Sequence, residues 1–287
     1  MRLALLVLAY REPEVLRRAI PLYKAAGFDV FVHLDKKADT AGYLARLGDA
    51  ARSCRLIYRR VDIFWGGFSM VEAELALIFA AMAEGQYDRF TLVSDDTFPI
   101  VPRDQLRQVV TEDLERVMIR KLEPDDPFMS RYTNFYYFDH QVSSLHGRPI
   151  ESAKIDDAFL SEMESIQHLK EQGKKKIDVY YGSQWWSMTS SAIGTILETL
   201  ERDENLFSSF KYSAVPDEML LQTLVGNLVD RSSVRQSIVY VDWSKDPRPY
   251  VFTSKAEIDM IPEGYCFVRK VSGASLDLLD YQTARFS

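Results

Sequence analysis

The sequence predicts an α/β protein built on a mostly parallel sheet, and three observations carry that prediction. Short apolar runs alternate with longer amphipathic ones through the N-terminal half, the pattern of βαβ units. Two of the runs end in Asp35 and in Ser94-Asp95-Asp96-Thr97, which sets polar groups where open α/β sheets bind ligands, beyond the carboxyl ends of the strands. The 287 residues are 47% hydrophobic, enough for a sizeable core, and no repeat or linker divides them, so a single domain over 1–287 is expected.

In order, Leu3 to Ala9 reads as a buried first strand. Arg2 precedes it as in a signal peptide, but the run is short and passes at once into Tyr10-Arg-Glu-Pro13. A helix over Glu14 to Ala26, a strand over Val30 to Asp35, a helix over Ala41 to Arg52 and a strand over Leu56 to Arg59 follow. The helix Met70 to Ala83 comes after Gly66-Gly67-Phe68-Ser69, where Ser69 with Glu72 three residues on reads as a capping box. Phe90 to Val93 is the strand that delivers Ser94 to Thr97. Between Glu123 and Arg148 the periodicity stops and aromatics crowd together (Phe128, Tyr132, Phe135, Tyr136, Tyr137, Phe138); such a loop is either a lid or acceptor surface or a plug on the core. A helix over Asp156 to Glu171 leads to Lys174-Lys175-Lys176, read as a solvated turn. The last third is expected to hold helices over Ala192 to Arg202, Asp217 to Leu228, Lys255 to Met260 and Leu276 to Tyr281, with strands near Ile238 to Val241 and Cys266 to Val268.

Charge and cysteine content narrow the function. A net charge of -7 argues against a nucleic-acid partner bound through bulk positive charge. Cys54 and Cys266 are the only cysteines and form neither a disulfide framework nor a zinc cluster, which fits a cytoplasmic setting. No apolar window spans a membrane, leaving room only for peripheral contact, at the inner face.

The chemistry concentrates in Tyr181-Gly-Ser183-Gln184-Trp185-Trp186-Ser187 and Val215-Pro-Asp217-Glu218-Met-Leu220. The first joins sugar-stacking aromatics to hydrogen-bonding side chains. The second sets two carboxylates at a Pro-started helix, suited either to a catalytic base facing a hydroxyl or to compensating the helix dipole. Trp185 and Trp186, being sequential, are expected to face opposite ways, one into the core and one toward a sugar; Trp65 and Trp243 are further stacking candidates. Asp35 ends its strand where a carboxylate holds a nucleotide, and His33 reads as a packed residue. No Asp-x-Asp triplet exists; Asp95-Asp96 is the nearest approach. Arg269 and Lys270, aided by Arg248, are the candidates to meet a diphosphate.

These stretches resemble the core-2/I-branching β-1,6-N-acetylglucosaminyltransferase family, which includes peptide O-xylosyltransferases and plant glucuronosyltransferase-like members. The matching elements are Leu8-Ala9-Tyr10, His33-Leu-Asp-Lys-Lys37, Trp65 to Leu75, Leu92 to Pro99, Tyr181 to Trp186, Pro216-Asp-Glu218, Tyr240-Val-Asp-Trp243 and Phe267-Val-Arg-Lys270, in the family's order along nearly the whole chain. The resemblance implies a GT-A type fold and an inverting transfer from a UDP-sugar, of the N-acetylglucosamine or xylose kind, to a hydroxyl of a glycan or glycolipid, with no metal or other cofactor. It implies Glu218 as general base, Asp35 beside the uridine and Lys270 compensating the diphosphate. Ala9, Tyr10, Arg11, Trp65 and Ser69 are expected with them on the donor side. Ser94, Asp95, Asp96, Ser183, Gln184, Trp185, Trp186, Asp217 and Trp243 are expected around the sugar and acceptor. This sequence departs from the family in having Thr97 where many members have Asp, and Val239 where some have a diphosphate arginine, a part left to Arg248 or Arg235. The anchor and disulfide-rich stem of animal members are missing, as in a bacterial cytoplasmic form that builds a surface polysaccharide or glycolipid. Two other readings stay open: a metal-dependent transferase using Asp95 and Asp96, and a catalytically silent carbohydrate- or nucleotide-binding protein.

Overall fold

A computed structural model describes residues 1–140, 157–246 and 248–286. The chain begins β1 (Leu3–Ala9), α1 (Pro13–Ala25), β2 (Phe28–Leu34), α2 (Thr40–Leu47), a 3-10 segment (Gly48–Ser53), β3 (Cys54–Leu56), α3 (Ser69–Ala83), β4 (Arg89–Ser94) and β5 (Thr97–Pro99). It continues α4 (Arg103–Thr111), β6 (Glu115–Arg116), β7 (Ile119–Lys121), α5 (Met129–Thr133), α6 (Asp157–Lys176), β8 (Tyr180–Gly182), β9 (Ser187–Thr189), α7 (Ser190–Arg202) and α8 (Glu204–Ser209). A 3-10 turn (Pro216–Glu218) precedes α9 (Leu220–Leu228), β10 (Val234–Arg235), β11 (Val239–Val241), α10 (Lys255–Asp259), β12 (Phe267–Arg269) and α11 (Leu276–Phe286).

Seven strands form the central sheet in the order β10-β6-β9-β4-β1-β2-β3. β1 pairs parallel with β2 and β4, β2 with β3, and β6 with β10, while β9 runs antiparallel between β4 and β6. β1, Leu-Ala-Leu-Leu-Val-Leu-Ala, is buried almost without interruption rather than in alternation, the mark of a strand covered on both faces. α1 turns Val15, Leu16, Ala19, Ile20 and Tyr23 inward at helical spacing, and α3 packs on β1 and β2. A second sheet, β11-β12-β5, holds β12 antiparallel to β5 with Arg269 opposite Thr97.

Most expected elements are present; five differ for local reasons. Gly48, at φ +56°, ends α2, so the helix expected to Arg52 finishes as 3-10 turns. β3 stops at Leu56, where its pairing with β2 ends, and Tyr58 projects wholly into solvent. The lysine run Lys174 to Lys176 is exposed as expected but forms the last turn of α6, where cations suit the helix dipole. The helix expected from Asp217 is broken: Pro216–Glu218 is a single 3-10 turn entered through Val215 at φ +47°, and α9 starts only at Leu220. α11 extends to Phe286, beyond the expected Tyr281.

The capping box at Ser69 is replaced by a longer-range device. Ser69 is the first residue of α3 and makes no cap of its own. Instead the carboxylate of Asp139 accepts the Phe68 amide at 2.7 Å, the Ser69 amide at 3.4 Å and the Ser69 hydroxyl at 2.5 Å. A Cβ on Gly67 would stand 2.2 Å from Asp139 Oδ1, so only glycine admits this approach. The aromatic segment is therefore seated on the start of α3 by a carboxylate 70 residues away. Its portion from 141 to 148, and residue 156 of the next expected helix, lie outside the described residues.

β7 and β8 pair antiparallel with Ile119 opposite Gly182. A Cβ at Gly182 would lie 1.8 Å from the Met118 carbonyl oxygen. Gly182→Ala is expected to cost about 1–3 kcal/mol, read as a lower urea midpoint with an unchanged slope; a midpoint equal to wild type would show that this hairpin tolerates separation.

Candidate active site

β1 is the central strand from which the chain turns to β2 on one side and later to β4 on the other. That reversal leaves a crevice beyond the carboxyl ends of β1 and β4. Ala9 lies beside Leu34, and Leu8 beside Ser94, so Tyr10, Asp35 and Asp95 emerge together at one sheet edge. A cavity of about 680 Å³ opens there, within the range of small-molecule sites.

The cavity wall brings together most of the expected donor-side residues. Ala9, Tyr10, Arg11, Asp35, Trp65, Ser94, Asp95, Asp96, Gln184, Trp185, Arg269 and Lys270 all line it. Asp35 is buried; its Oδ1 accepts the Lys37 amide at 2.8 Å and lies 3.2 Å from Lys37 Nζ. Trp65 stands exposed at the mouth, its ring edge-on to Phe138 at 6.3 Å. His33 Nε2 accepts the Val61 amide at 2.8 Å in the buried strand, and desolvation pushes its pKa down to about 4, a neutral packing residue as expected.

The two adjacent aspartates do different work. Asp95 Oδ2 accepts the backbone amides of Tyr10, Arg11 and Glu12 at 2.8, 2.9 and 3.0 Å and the Tyr43 hydroxyl at 3.0 Å. α1 has no side-chain cap of its own, so Asp95 satisfies the orphan amides ahead of it. Burial, with Asp96 adjacent, raises Asp95 to about 6 against the pull of these donors. Asp96 meets cations instead: Arg269 Nε lies 3.0 Å away and Lys270 Nζ 3.9 Å. The antiparallel pairing of Arg269 with Thr97 brings them there. Arg269 also donates to Ser94 Oγ at 2.9 Å, and its guanidinium lies 4.8 Å from the Trp185 ring centre.

Glu218 and Asp217, expected in the site, do not line the cavity. Glu218 is largely buried, with Arg131 Nη1 3.4 Å from its Oε2. Arg131 is stacked over Phe128 and Tyr181, and its carbonyl accepts the Ala214 amide at 2.8 Å. Burial raises the pKa of Glu218, while Tyr181, Arg131 and Arg269 pull it down. Asp217 is driven well above the carboxylate range by burial and by the charge of Glu218, and Tyr181 is raised to about 12 by burial and by Glu218. The pair thus favours one negative charge at a time. Arg269 acts on both carboxyls and so links them electrically to the cavity.

Several expected residues stand elsewhere. Ser69 is committed to Asp139 and to the Phe64 amide. Trp186 is fully buried, so of the tryptophan pair only Trp185 faces the cavity. Ser183 is used locally, its hydroxyl accepting the Trp185 amide and its carbonyl the Gln222 side chain. Trp243 is exposed away from the cavity lining. Arg248 is exposed and paired with Asp246, and Arg235, on the edge strand β10, bonds the carbonyls of Ser232 and Val234; neither lines the cavity. Sequence reasoning missed Arg131, 87 residues from its carboxylate partner in a segment without periodicity. It also passed over Lys37, which its place two residues after Asp35 could have flagged. Among the described residues no group of three or more His, Cys, Asp or Glu is arranged to hold a metal ion, and no helix is long and apolar enough to cross a membrane.

A family model described as Core-2/I-Branching enzyme matches residues 4–261. No curated protein matches the chain. Among solved structures it is similar to one assigned as a glucose-1-phosphate thymidylyltransferase from Bacillus anthracis, in complex with a sucrose. The identity is 12%, the TM-score 0.33, and the match covers 70% of this chain and 78% of that one.

Asp95→Ala strands three backbone amides at the crevice. It is expected to destabilise the fold by about 2 kcal/mol or more, measured by urea unfolding in EDTA; stability equal to wild type would show that Asp95 is not the cap of α1.

Proposed function

Because the chain belongs to the core-2/I-branching enzyme family, a family of glycosyltransferases acting on glycan acceptors with a nucleotide-sugar donor, we propose that it is an inverting transferase of a UDP-sugar with Glu218 as its general base. The observation that carries this reading is the division of charge around one crevice. Arg269 and Lys270 stand together on one wall, Asp35 stands on the strand end beyond β1, and the Asp217–Glu218 pair lies within the field of Arg269.

In this reading the uridine lies toward Asp35 and the diphosphate toward Lys270 and Arg269. Two fixed cations stabilise the charge that develops on the departing UDP, the part a metal plays elsewhere. Asp96 holds them in place, and since it already faces two cations it offers less to a third. The acceptor hydroxyl approaches Glu218, which takes its proton as the oxygen attacks the anomeric carbon on the face opposite the leaving group; the carbon–oxygen bond to UDP breaks and the configuration inverts. Tyr181, Arg131 and Arg269 oppose the rise that burial imposes on the Glu218 pKa and so favour its ionised form. Trp65 at the mouth offers an apolar face to a sugar ring, while Trp185 in the wall carries the Arg269 guanidinium over its ring. An N-acetylglucosamine or xylose type donor, a glycan or glycolipid acceptor and work at the inner face of a membrane complete the proposal on family grounds.

Glu218→Gln is expected to lower turnover by about 10²–10⁴-fold while UDP binding, followed by calorimetry, persists. Turnover in excess EDTA should equal that with Mn²⁺, and Lys270→Ala should weaken UDP in both; a requirement for metal would overturn the charge assignment. Since Glu218 must be ionised to act and Arg131 lowers its pKa, Arg131→Ala should move the acid limb of the pH–rate profile to higher pH. A limb that stays put would remove Arg131 from the mechanism.

A further inference from the structure

Glu74 has no counterpart in the chemistry described so far. It lies inside α3, a helix otherwise rich in Ala, Leu, Val and Met, and is fully buried. No cation pairs with it among the described residues. Its Oε1 accepts the side-chain amide of Gln184 at 2.9 Å; its Oε2 has no partner of full hydrogen-bond geometry, and the buried Trp186 indole N–H, which has no other partner, acts on Glu74 as a donor that lowers its pKa. An unpaired carboxylate in such a place is expensive unless it is neutral; burial above all raises its pKa well above the ordinary value, while the Gln184 amide and the Trp186 indole N–H pull it down. Asp217 Oδ1 is buried without a partner.

We propose that Glu74 is a positioning residue that fixes which end of the Gln184 carboxamide faces the cavity, making Gln184 a selector for a hydroxyl or amide N–H on the transferred sugar. Gln184 lines the cavity yet is almost buried. A primary amide has a donor end and an acceptor end of nearly the same shape, and left to itself it presents either. Glu74 removes that freedom. Glu74 Oε1 faces the Gln184 amide nitrogen at 2.9 Å and acts there as an acceptor. Gln184 Nε2 is therefore held inward and Gln184 Oε1 is presented to the ligand as a bare acceptor. The backbone beneath is held as well: Gln222 Nε2 donates to the Ser183 carbonyl at 2.8 Å and to the Asp217 carbonyl at 3.1 Å, tying the Gln184 segment to the turn that carries Glu218. A sugar with a hydrogen to donate at this point satisfies the acceptor. One without it leaves a desolvated oxygen unpaired, which is how polar pockets discriminate strongly.

The inference rests on the UDP-sugar reading, and its test separates the two. Wild type, Glu74→Gln and Glu74→Leu are titrated with UDP, UDP-N-acetylglucosamine and UDP-xylose, and the Gln184 side-chain amide is followed by ¹⁵N NMR, its signal identified by its loss in Gln184→Glu. In wild type the Gln184 amide protons should exchange slowly with solvent and one of the nucleotide sugars should bind more tightly than UDP. In Glu74→Gln, which keeps the shape of the site, UDP affinity should hold while the gain from that sugar falls by about 5-fold or more; in Glu74→Leu, the amide should also lose its protection. An unchanged gain with UDP binding intact, no gain in wild type, or free exchange of the wild-type amide overturns the inference. Failure of wild type to bind UDP overturns the UDP reading, and amide exchange then decides alone whether Glu74 sets Gln184.

Discussion

Every feature of the crevice depends on how the carboxylate of Asp95 is used. It leaves the end of β4 and gathers the amides of Tyr10, Arg11 and Glu12 together with the Tyr43 hydroxyl. That one oxygen therefore joins the turn after β1, the entry to α1 and the face of α2. Helix starts with unsatisfied amides need such a partner, and Pro13 and the uncapped Glu12 supply none from within. Because the partner comes from the neighbouring strand, the helix is locked to the sheet at the point where the ligand crevice opens. The cost is a buried charge beside Asp96, visible in the raised pKa of Asp95. Four donors converging on one carboxylate offset it.

Around that anchor the charges are sorted by neighbour rather than by residue type. Asp96, one residue on, has cations for partners; Asp95 has backbone. Glu218 has Arg131 and Tyr181, and Asp217, adjacent in sequence, is turned into the interior with an unpartnered oxygen. Glu74 is deeper still. The result is a gradient from a cation-paired carboxyl, Glu218, to the more deeply buried Asp217 and Glu74, whose pKa values burial drives furthest up. Such a gradient lets a base work beside an anionic leaving group without two or three like charges competing in one low-dielectric space.

The parts of the fold that recur with a period were legible in the chain. β1, β2, β4 and the helices between them follow from runs such as Leu3 to Ala9, whose unbroken apolarity says it is covered on both faces. Membership in the family was legible as well, because short motifs matched in order from Leu8 to Lys270 and the family model spans 4–261. Helix ends were less so. Ser69 carries the signature of a local cap, but the Asp139 carboxylate takes the Phe68 and Ser69 donors instead, and it arrives from a segment with no periodicity. The break at Met219 was hidden for a similar reason: Pro216 and two acids look like a helix start, while the positive φ of Val215 is imposed by packing, its amide held by the Gly66 carbonyl.

By itself the sequence determined the α/β order, the strand ends that carry Tyr10, Asp35 and Asp95, the buried character of His33 and the family to which the chain belongs. These are consequences of local period and of residues that stay neighbours in any conformation. Only the tertiary structure decided that Asp95 caps while Asp96 binds cations, that Trp185 faces the cavity and Trp186 the core, that Arg248 lies off the cavity lining, and that Arg131 and Glu74 belong with residues 87 and 110 positions away. Each of those outcomes depends on which donors and charges converge on a buried atom. Convergence is set by the pairing of distant strands, such as β12 with β5, and no window of the sequence contains both partners.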